Sequence, residues 1–294
     1  MKRSDRQWTL FDILNITFFV FCGLIMIFPL WNVLMTSLVS IQEFMSKPLI
    51  IWPEKVILAN YRLIFLGGDL LNSLMVTIFV TLVGTLYSML LTITLAYGLS
   101  KGFLPGCKFL TVVIILTMFF SGGLIPYYLL VRSLGLVNSI WVMILPQGVN
   151  AWNFLVLRAF FRQFPVNLEE SAHMDGATPF RVLAKIVIPL SMPAIATIVL
   201  FYGVAYWNIW WDALLFITDN RLIPLQLLLR KMVVQNVRPE MMTQAFDPGT
   251  EGAILFENGI KMATVIIATV PIIIVYPFLQ KYFTKGVMLG AVKG

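Results

Sequence analysis

The sequence predicts an all-α integral membrane protein with six transmembrane helices, and three observations lead to that prediction. Hydrophobic residues make up 59% of the 294 residues and charged residues only 12%, whereas about a quarter of a typical soluble domain is charged. Six apolar stretches are long enough to cross a bilayer, which takes about 20 residues of helix. Basic residues are concentrated on one side of the resulting topology. We therefore interpret residues 1–294 as a single transmembrane domain.

The six apolar stretches define the predicted spans. They cover residues 13–38, 73–97, 109–131, 136–160, 191–217 and 262–280. The first stretch is too long for a signal-peptide core and shows no small-residue cleavage pattern, so we expect it to be retained. Of the two longer loops on the opposite side from the termini, the first predicts a short amphipathic helix over 59–65. The second predicts a helix in which Leu225, Leu228 and Leu229 share one face.

Lysine and arginine are distributed unevenly between the two sides of this topology. The side with both termini and the loop over 161–190 carries twelve Lys and Arg residues and five Asp and Glu residues, whereas the opposite side carries nine of each sign. Because basic residues near span ends mark the cytoplasmic side, both termini and that loop are predicted to be cytoplasmic. The formal net charge of +7 therefore reports membrane topology and does not indicate nucleic-acid binding.

The polar loop between the fourth and fifth spans has the turn chemistry of two short helices joined at a corner. Asn167 is a candidate N-cap with Glu170 three residues later, a variant of the capping box. Gly176 is the expected stop, because glycine adopts the left-handed conformation after a helix without a Cβ penalty. Thr178 and Pro179 then restart a helix, because a proline at the first helical position loses no hydrogen bond.

The same loop is similar to the EAA loop in the permease subunits of bacterial ABC importers, whose pattern is Glu-Ala-Ala, three residues, Gly, nine residues, Ile, one residue and Leu-Pro. The matching positions are Glu170, Ser171, Ala172, Gly176, Ile186, Ile188 and Pro189, with Ser171 and Ile188 as the two departures. The resemblance implies that the first short helix is a coupling helix that docks on a separate ATPase subunit. The residues to which it gives this coupling role are Glu169, Glu170, Ser171, Ala172, His173, Asp175, Gly176 and Pro189.

The C-terminal sequence carries a second resemblance. Permeases of the maltose type, in the carbohydrate branch of this family, end in a similar Gly-x-x-x-Gly-Ala-Val-Lys-Gly, matched here by Gly286, Gly290, Ala291, Val292, Lys293 and Gly294. This match implies that Gly290, Lys293 and Gly294 extend toward the ATPase subunits and that the fold is that of a type I ABC importer permease. The segments LQLLLR and FYGVAYWN further resemble the subgroup that handles complex oligosaccharides, including pectin and alginate fragments.

The sequence offers no catalytic residues and no metal site, so we expect a transport subunit rather than an enzyme. It lacks the G-x-x-x-x-G-K-S/T phosphate loop and cannot hydrolyse ATP by that route. His173 is the only histidine, and no Cys or acidic residue stands at metal-ligand spacing from it. We expect no cofactor in this chain, because the resemblance implies that a partner ATPase binds ATP and Mg²⁺.

The fifth predicted span concentrates aromatic and polar side chains. Aromatic rings pack against the apolar C–H faces of sugars, while amide, carboxylate and hydroxyl groups bond sugar hydroxyls, so this mixture is typical of a carbohydrate path. The candidate substrate-path residues are Tyr202, Tyr206, Trp207, Asn208, Trp211 and Asp212. An aromatic belt at the outer membrane surface has the same composition, and both interpretations stay open for each ring.

Together these observations favour a permease subunit of an ATP-driven oligosaccharide importer in the bacterial cell (inner) membrane. The resemblance implies a second permease, an ATPase dimer and an extracellular or periplasmic solute-binding protein as partners, with membrane lipid around the spans. An ion-coupled secondary sugar transporter is the alternative, but such carriers place ionisable residues in mid-span, and Asp212 is the main candidate of that kind here. A membrane scaffold without transport is a third possibility. Whether the sugar is neutral or acidic stays open.

Overall fold

A computed structural model describes residues 9–47, 49–66, 68–101, 105–164, 166–234 and 257–291, and regular secondary structure within these ranges is helical. The residues group into two compact units, one within 1–68 and 232–269 and the other within 69–231 and 270–294. The prediction of an all-α protein is therefore confirmed for the described residues.

We number the α-helices in chain order. They are α1 (Leu10–Ser37), α2 (Ile41–Ser46), α3 (Ala59–Leu66), α4 (Asp69–Ser100), α5 (Cys107–Phe119), α6 (Leu124–Ser133), α7 (Ala151–Arg162), α8 (Val166–Met174), α9 (Pro179–Val182), α10 (Ile188–Leu190), α11 (Met192–Trp207), α12 (Trp211–Phe216), α13 (Leu225–Val233) and α14 (Glu257–Ala291). Shorter 3₁₀ turns cover Ile140–Met143, Leu145–Gln147 and Asn220–Leu222, and a π-helical turn covers Leu183–Val187.

Four helical segments are each long and apolar enough to cross a membrane. They are Leu10–Ser37, Asp69–Ser100, Met192–Phe216 and Asn258–Val275, and they overlap the predicted spans one, two, five and six. The first begins slightly earlier than hydropathy predicts because Thr9 caps it. The Thr9 Oγ1 accepts a hydrogen bond from the Asp12 amide at 3.2 Å, and the Asp12 carboxylate accepts one from the Thr9 amide at 3.1 Å.

The third and fourth predicted spans each consist of two helical pieces. Cys107–Phe119 and Leu124–Ser133 meet at 119°, and Ile140–Gln147 and Ala151–Arg162 meet at 43°. The prediction of one continuous helix over 109–131 is therefore wrong. Gly123 has φ +84° and ψ 174°, a backbone conformation essentially restricted to glycine, and hydropathy does not register such a break. Six spans result only if each bent pair crosses the membrane once, so that number stays a prediction.

In the first unit, α3 and the segment before it are attached to the end of α1 by hydrogen bonds. The Trp31 indole donates to the Ile51 carbonyl oxygen at 2.8 Å. The Asn60 amide donates to the Ser37 carbonyl oxygen at 2.9 Å, and the Tyr61 hydroxyl lies 2.8 Å from the Ser37 Oγ. These bonds hold the amphipathic helix predicted over 59–65, which the structure confirms as α3.

In the second unit, α4 packs against α11 and α7 along a face of small and polar residues. Buried residues of that face, three or four positions apart, are Ser73, Thr77, Val80, Gly84, Ser88, Thr92 and Ala96. Small residues let helices approach closely in membranes. The helices lie close together at Gly84, where an added Cβ would lie 2.6 Å from the ring of Tyr206. This packing holds α7 and α11, which line the cavity described next.

Candidate functional site

A cavity of about 470 Å³ opens between α7, α11 and the segment that precedes α7. Aromatic and amide side chains dominate its wall. The lining residues are Gln147, Asn150, Trp152, Asn153, Phe201, Tyr202, Ala205, Tyr206 and Ile209. Its volume falls in the range of about 300–1,000 Å³ that is usual for small-molecule sites. Two of the six predicted substrate-path residues, Tyr202 and Tyr206, line it.

The hydroxyl groups of these two tyrosines are bonded within the protein. Tyr202 is buried, and its hydroxyl lies 2.7 Å from the Thr92 Oγ1 and accepts a hydrogen bond from the Asn150 amide at 2.9 Å. The Tyr206 hydroxyl lies 2.7 Å from the Ser88 Oγ and donates to the Ile144 carbonyl oxygen at 3.1 Å. The two tyrosines are 2% and 1% exposed, and their hydroxyls fix α11 to α4.

Asp212 lies behind the cavity wall and is only 3% exposed. Its Oδ1 accepts a hydrogen bond from the Tyr127 hydroxyl and its Oδ2 one from the Gln147 Nε2, both at 3.0 Å. The Gln147 side chain therefore turns its amide nitrogen toward Asp212. Asp212 thereby sets the orientation of an amide that lines the cavity.

Sequence reasoning missed Tyr127 and Gln147. Both are polar residues inside predicted apolar spans, and a polar residue in such a span is the sequence feature that could have pointed to them. It could not identify Asp212 as their common acceptor, because Tyr127 lies 85 positions away in the sequence and Gln147 lies 65 positions away.

The remaining predicted path residues lie at a break in the fifth span. α11 ends at Trp207 and α12 begins at Trp211. Asn208 follows α11, and its side-chain amide donates to the Val204 carbonyl oxygen at 2.8 Å. Trp211 is 48% exposed. Trp207, Asn208 and Trp211 are not among the residues that line the cavity.

The loop after α7 forms the predicted helix, corner and helix. Gly176 has φ +80°, and the Ala177 amide donates to the Ala172 carbonyl oxygen at 2.9 Å, as in a Schellman motif. Thr178 caps α9 by accepting a hydrogen bond from the Arg181 amide at 3.4 Å, with Pro179 as the first helical residue. The predicted stop and restart are therefore confirmed.

The predicted N-cap at Asn167 is wrong. α8 begins at Val166, which places Asn167 inside the first turn, whereas a cap must precede the first helical residue. The sequence pattern of a capping box therefore located the helix correctly but set its start too late.

The coupling-loop residues fall on two sides of α8. Glu170, Ser171, Asp175 and Gly176 are exposed, as are Met174 at 88% and Phe180 at 77%. Glu169 instead forms an ion pair with Lys101, and their side chains are 12% and 16% exposed. The Lys101 nitrogen also lies 4.5 Å from the centroid of the Tyr97 ring. Glu169 therefore attaches α8 to the end of α4.

The other predicted coupling residues lie as follows. Ala172 is half-buried on α8, and Pro189 is exposed on α10. The side chain of His173 and the residues Lys293 and Gly294 lie outside the described part of the chain, and Gly290 belongs to the last turns of α14.

Comparison with known proteins gives the family. No family model matches the chain. The chain is 44% identical to the polygalacturonan/rhamnogalacturonan transport system permease protein YtcP of Bacillus subtilis (strain 168), over 97% of this chain and 99% of that protein. It is 28% identical to the arabinooligosaccharides transport system permease protein AraQ of the same organism, over the full length of both.

A solved structure shows the same architecture. The chain superimposes with a TM-score of 0.86 and 30% identity on a chain from the crystal structure of a bacterial ABC transporter involved in the import of the acidic polysaccharide alginate, covering 96% of this chain and 99% of the other. Because identity and shared architecture both extend over nearly the whole length, this chain belongs to the family of permease proteins of ABC transport systems.

Proposed function

We propose that this chain is one transmembrane subunit of an ATP-driven importer of oligosaccharides, including acidic ones. The observation that carries the proposal is the cavity of the second unit, which combines exposed rings with amide groups. The relatives support a carbohydrate cargo, since polygalacturonan, arabinooligosaccharides and alginate appear in their names.

The cavity wall suits a sugar because it offers two kinds of contact. The rings of Trp152 and Phe201 are exposed, and such rings pack on the apolar face of a pyranose. Gln147 presents an amide whose nitrogen is held by Asp212, so its carbonyl oxygen is available to accept a hydrogen bond from a sugar hydroxyl. Asn150 uses its side-chain oxygen to accept from the Asn153 amide at 3.1 Å, which leaves its amide nitrogen for the ligand.

The energy for import would enter through α8. The exposed residues Glu170, Asp175 and Gly176 form the surface offered to an ATPase subunit, and the ion pair of Glu169 with Lys101 connects that surface to α4. ATP and Mg²⁺ would be held by a pair of ATPase subunits. A second permease would complete the pathway, and an external solute-binding protein would deliver the sugar. In this arrangement the protein lies in the bacterial cell membrane, with both termini and α8 on the cytoplasmic side.

A substitution that fills the cavity tests the proposal. Ala205 lines the cavity, whereas Val204, one residue earlier on α11, is exposed and does not. With the complete importer in proteoliposomes, we expect Ala205→Trp to abolish uptake of labelled oligogalacturonide, while the matched control Val204→Trp retains it. Both variants should still assemble with the ATPase subunits. Uptake that proceeds without any ATPase subunit and follows an ion gradient would replace this proposal with a secondary transporter.

A further inference from the structure

The guanidinium of an arginine lies over the ring of a tryptophan just beyond the cavity wall. The Cζ of Arg230, on α13, lies 4.0 Å from the centroid of the Trp210 ring. The ring of Trp211 meets that of Trp210 edge-on, with centroids 5.4 Å apart and an interplanar angle of 84°. Trp211 is 48% exposed. The three side chains therefore place a cation and a half-exposed tryptophan on either side of Trp210.

The guanidinium of Arg230 has no anionic partner in the described part of the chain. It makes no hydrogen bond or ion pair there, and the ion pairs of those residues involve Lys47 and Lys101. Asp212 directly follows Trp211 in the sequence, but its side chain is buried, and its two carboxylate oxygens accept hydrogen bonds from Tyr127 and Gln147. A guanidinium stacked on a ring keeps its N–H donors in its own plane, free to bind a carboxylate in bidentate fashion.

The helix that carries Arg230 is fixed to the rest of the unit. The Leu225 amide donates to the Thr77 Oγ1 of α4 at 2.8 Å, and the side chains of Leu225 and Leu227 are buried. Trp210 directly follows Ile209, which lines the cavity. The cation is thus held by a rigid support beside the segment that forms the cavity wall.

We propose that Arg230, Trp210 and Trp211 form a subsite for the carboxylate of a uronic acid residue in the imported oligosaccharide. The pyranose ring would lie against the open face of Trp211, and its carboxylate would bind the edge of the Arg230 guanidinium. Trp210 holds the guanidinium in place and shields one of its faces from water. The proposal rests on the proposed function, since it assigns the acidic group of that cargo to a place in this chain.

Equilibrium binding to the complete importer tests the subsite. The importer, with its partner permease and ATPase subunits, is placed in phosphatidylcholine nanodiscs without binding protein. The probes are radiolabelled digalacturonate and its dimethyl ester, in which a methyl group on each carboxyl removes its charge. Because a hydrogen bond to a charged group is worth about tenfold in an equilibrium constant, Arg230→Gln should weaken digalacturonate binding about tenfold and leave ester binding unchanged.

Three further variants sharpen the result. Arg230→Lys keeps the charge but loses the planar fork, so we expect an intermediate loss for digalacturonate. Trp211→Ala should weaken both probes, because the ring contacts the sugar and not its charge. Arg221→Gln, which removes an exposed cation from the same loop, is the matched control and should change neither. Basal ATP hydrolysis should stay at the native rate in the control Arg221→Gln.

Several results would overturn the subsite. An equal loss of both probes in Arg230→Gln would mean that Arg230 supports the fold, and no loss of either would mean that the cation binds no sugar. An effect that appears only in nanodiscs with anionic lipid would assign Arg230 to a lipid headgroup. If the native importer binds and transports neither probe, the proposed function itself fails, whereas native transport without charge discrimination at Arg230 overturns the subsite alone.

Discussion

Replacing Glu169 with glutamine should separate ATP hydrolysis from transport. Glu169 pairs with Lys101 at the junction of α8 and α4, where both side chains are largely buried. Lys101 is held from the other side by the face of the Tyr97 ring. Removing the carboxylate charge leaves the ammonium without its counter-charge in a site from which water is mostly excluded, so α8 should detach from α4 more easily.

The size of this effect follows from the burial of the pair. Leaving one partner of a buried ion pair uncompensated costs about 3–5 kcal/mol. The cost for Glu169→Gln should be lower, because glutamine still offers an acceptor oxygen and the side chains of Glu169 and Lys101 are 12% and 16% exposed. We therefore expect the attachment of α8 to α4 to lose about 2 kcal/mol of free energy. That corresponds to roughly a 30-fold shift in the equilibrium between attached and detached α8.

The assay compares two rates in the same proteoliposomes. For Glu169→Gln we expect ATP hydrolysis to continue and sugar uptake per ATP to fall by about an order of magnitude. Glu170→Gln is the matched control, because Glu170 is the exposed neighbour on α8. It should instead weaken recovery of the ATPase subunit with the purified permease. The charge-reversed pair Lys101→Glu with Glu169→Lys should regain part of the coupling lost in either single variant.

Two results would refute this reasoning. If Glu169→Gln transports with native yield per ATP, the ion pair carries no force between α8 and α4. If Glu169→Gln and Glu170→Gln both lose the ATPase subunit to the same extent, Glu169 acts at the docking surface and its pairing with Lys101 is incidental.

Three further predictions concern single positions. Gly176→Leu should lower transport without removing the protein from the membrane, because φ is +80° and a left-handed conformation costs an L-residue about 1–2 kcal/mol; uptake and membrane content are measured together. Gly84→Ala should lower the midpoint of thermal unfolding, because its Cβ would lie 2.6 Å from the Tyr206 ring and overpacking costs about 1–3 kcal/mol. The hydrogen bond from Lys47 lowers the pKa of Glu54 in the folded protein. The pair therefore stabilises the fold fully when the pH is above the pKa of an ordinary carboxyl group. This stabilisation is lost as the pH falls through the lowered pKa of Glu54. The midpoint difference between the native protein and Glu54→Gln should thus be small at neutral pH and vanish in acid.

Each of these predictions has a control within the chain. Gly98 has open space around its Cβ position and no positive φ, so Gly98→Ala should leave transport unchanged where Gly176→Leu lowers it. Gly203 lies on α11, and its added Cβ would meet its nearest atom only at 3.9 Å, so Gly203→Ala should unfold at the native temperature. For Glu54, a difference that persists in acid would show that the glutamine acts by packing rather than by charge.

Local features of this protein were predictable from the sequence, and distant pairings were not. The stop at Gly176 and the restart at Thr178 depend on residues within one turn of each other, so turn chemistry predicts them correctly. Apolar length likewise locates the four helical segments that are long enough to cross a membrane. The 119° bend depends on the backbone angles of Gly123, which a sum of hydropathies does not contain.

The candidate site shows the same limit. Composition alone singles out Tyr202 and Tyr206, which line the cavity. It does not show that Thr92 and Ser88 bind their hydroxyls from 110 and 118 positions away. The pairing of Lys101 with Glu169, 68 positions apart, likewise needs the fold. The sequence therefore shows which functional groups the span contains, whereas the contacts between them depend on how the helices pack.

The position of α4 explains how a small movement of α8 can reach the cavity. Lys101 follows the last residue of α4 and binds Glu169 of α8. Thr92 and Ser88 lie nine and thirteen residues earlier, about 14 and 20 Å along a helix that rises about 1.5 Å per residue, and they bind the hydroxyls of the cavity-lining Tyr202 and Tyr206. A rigid helix transmits displacement over that distance without loss, whereas a chain of exposed side chains would absorb it. α8 and the cavity wall are thus attached to the same helix, which is why we expect breaking one ion pair at its end to reduce transport without touching the cavity.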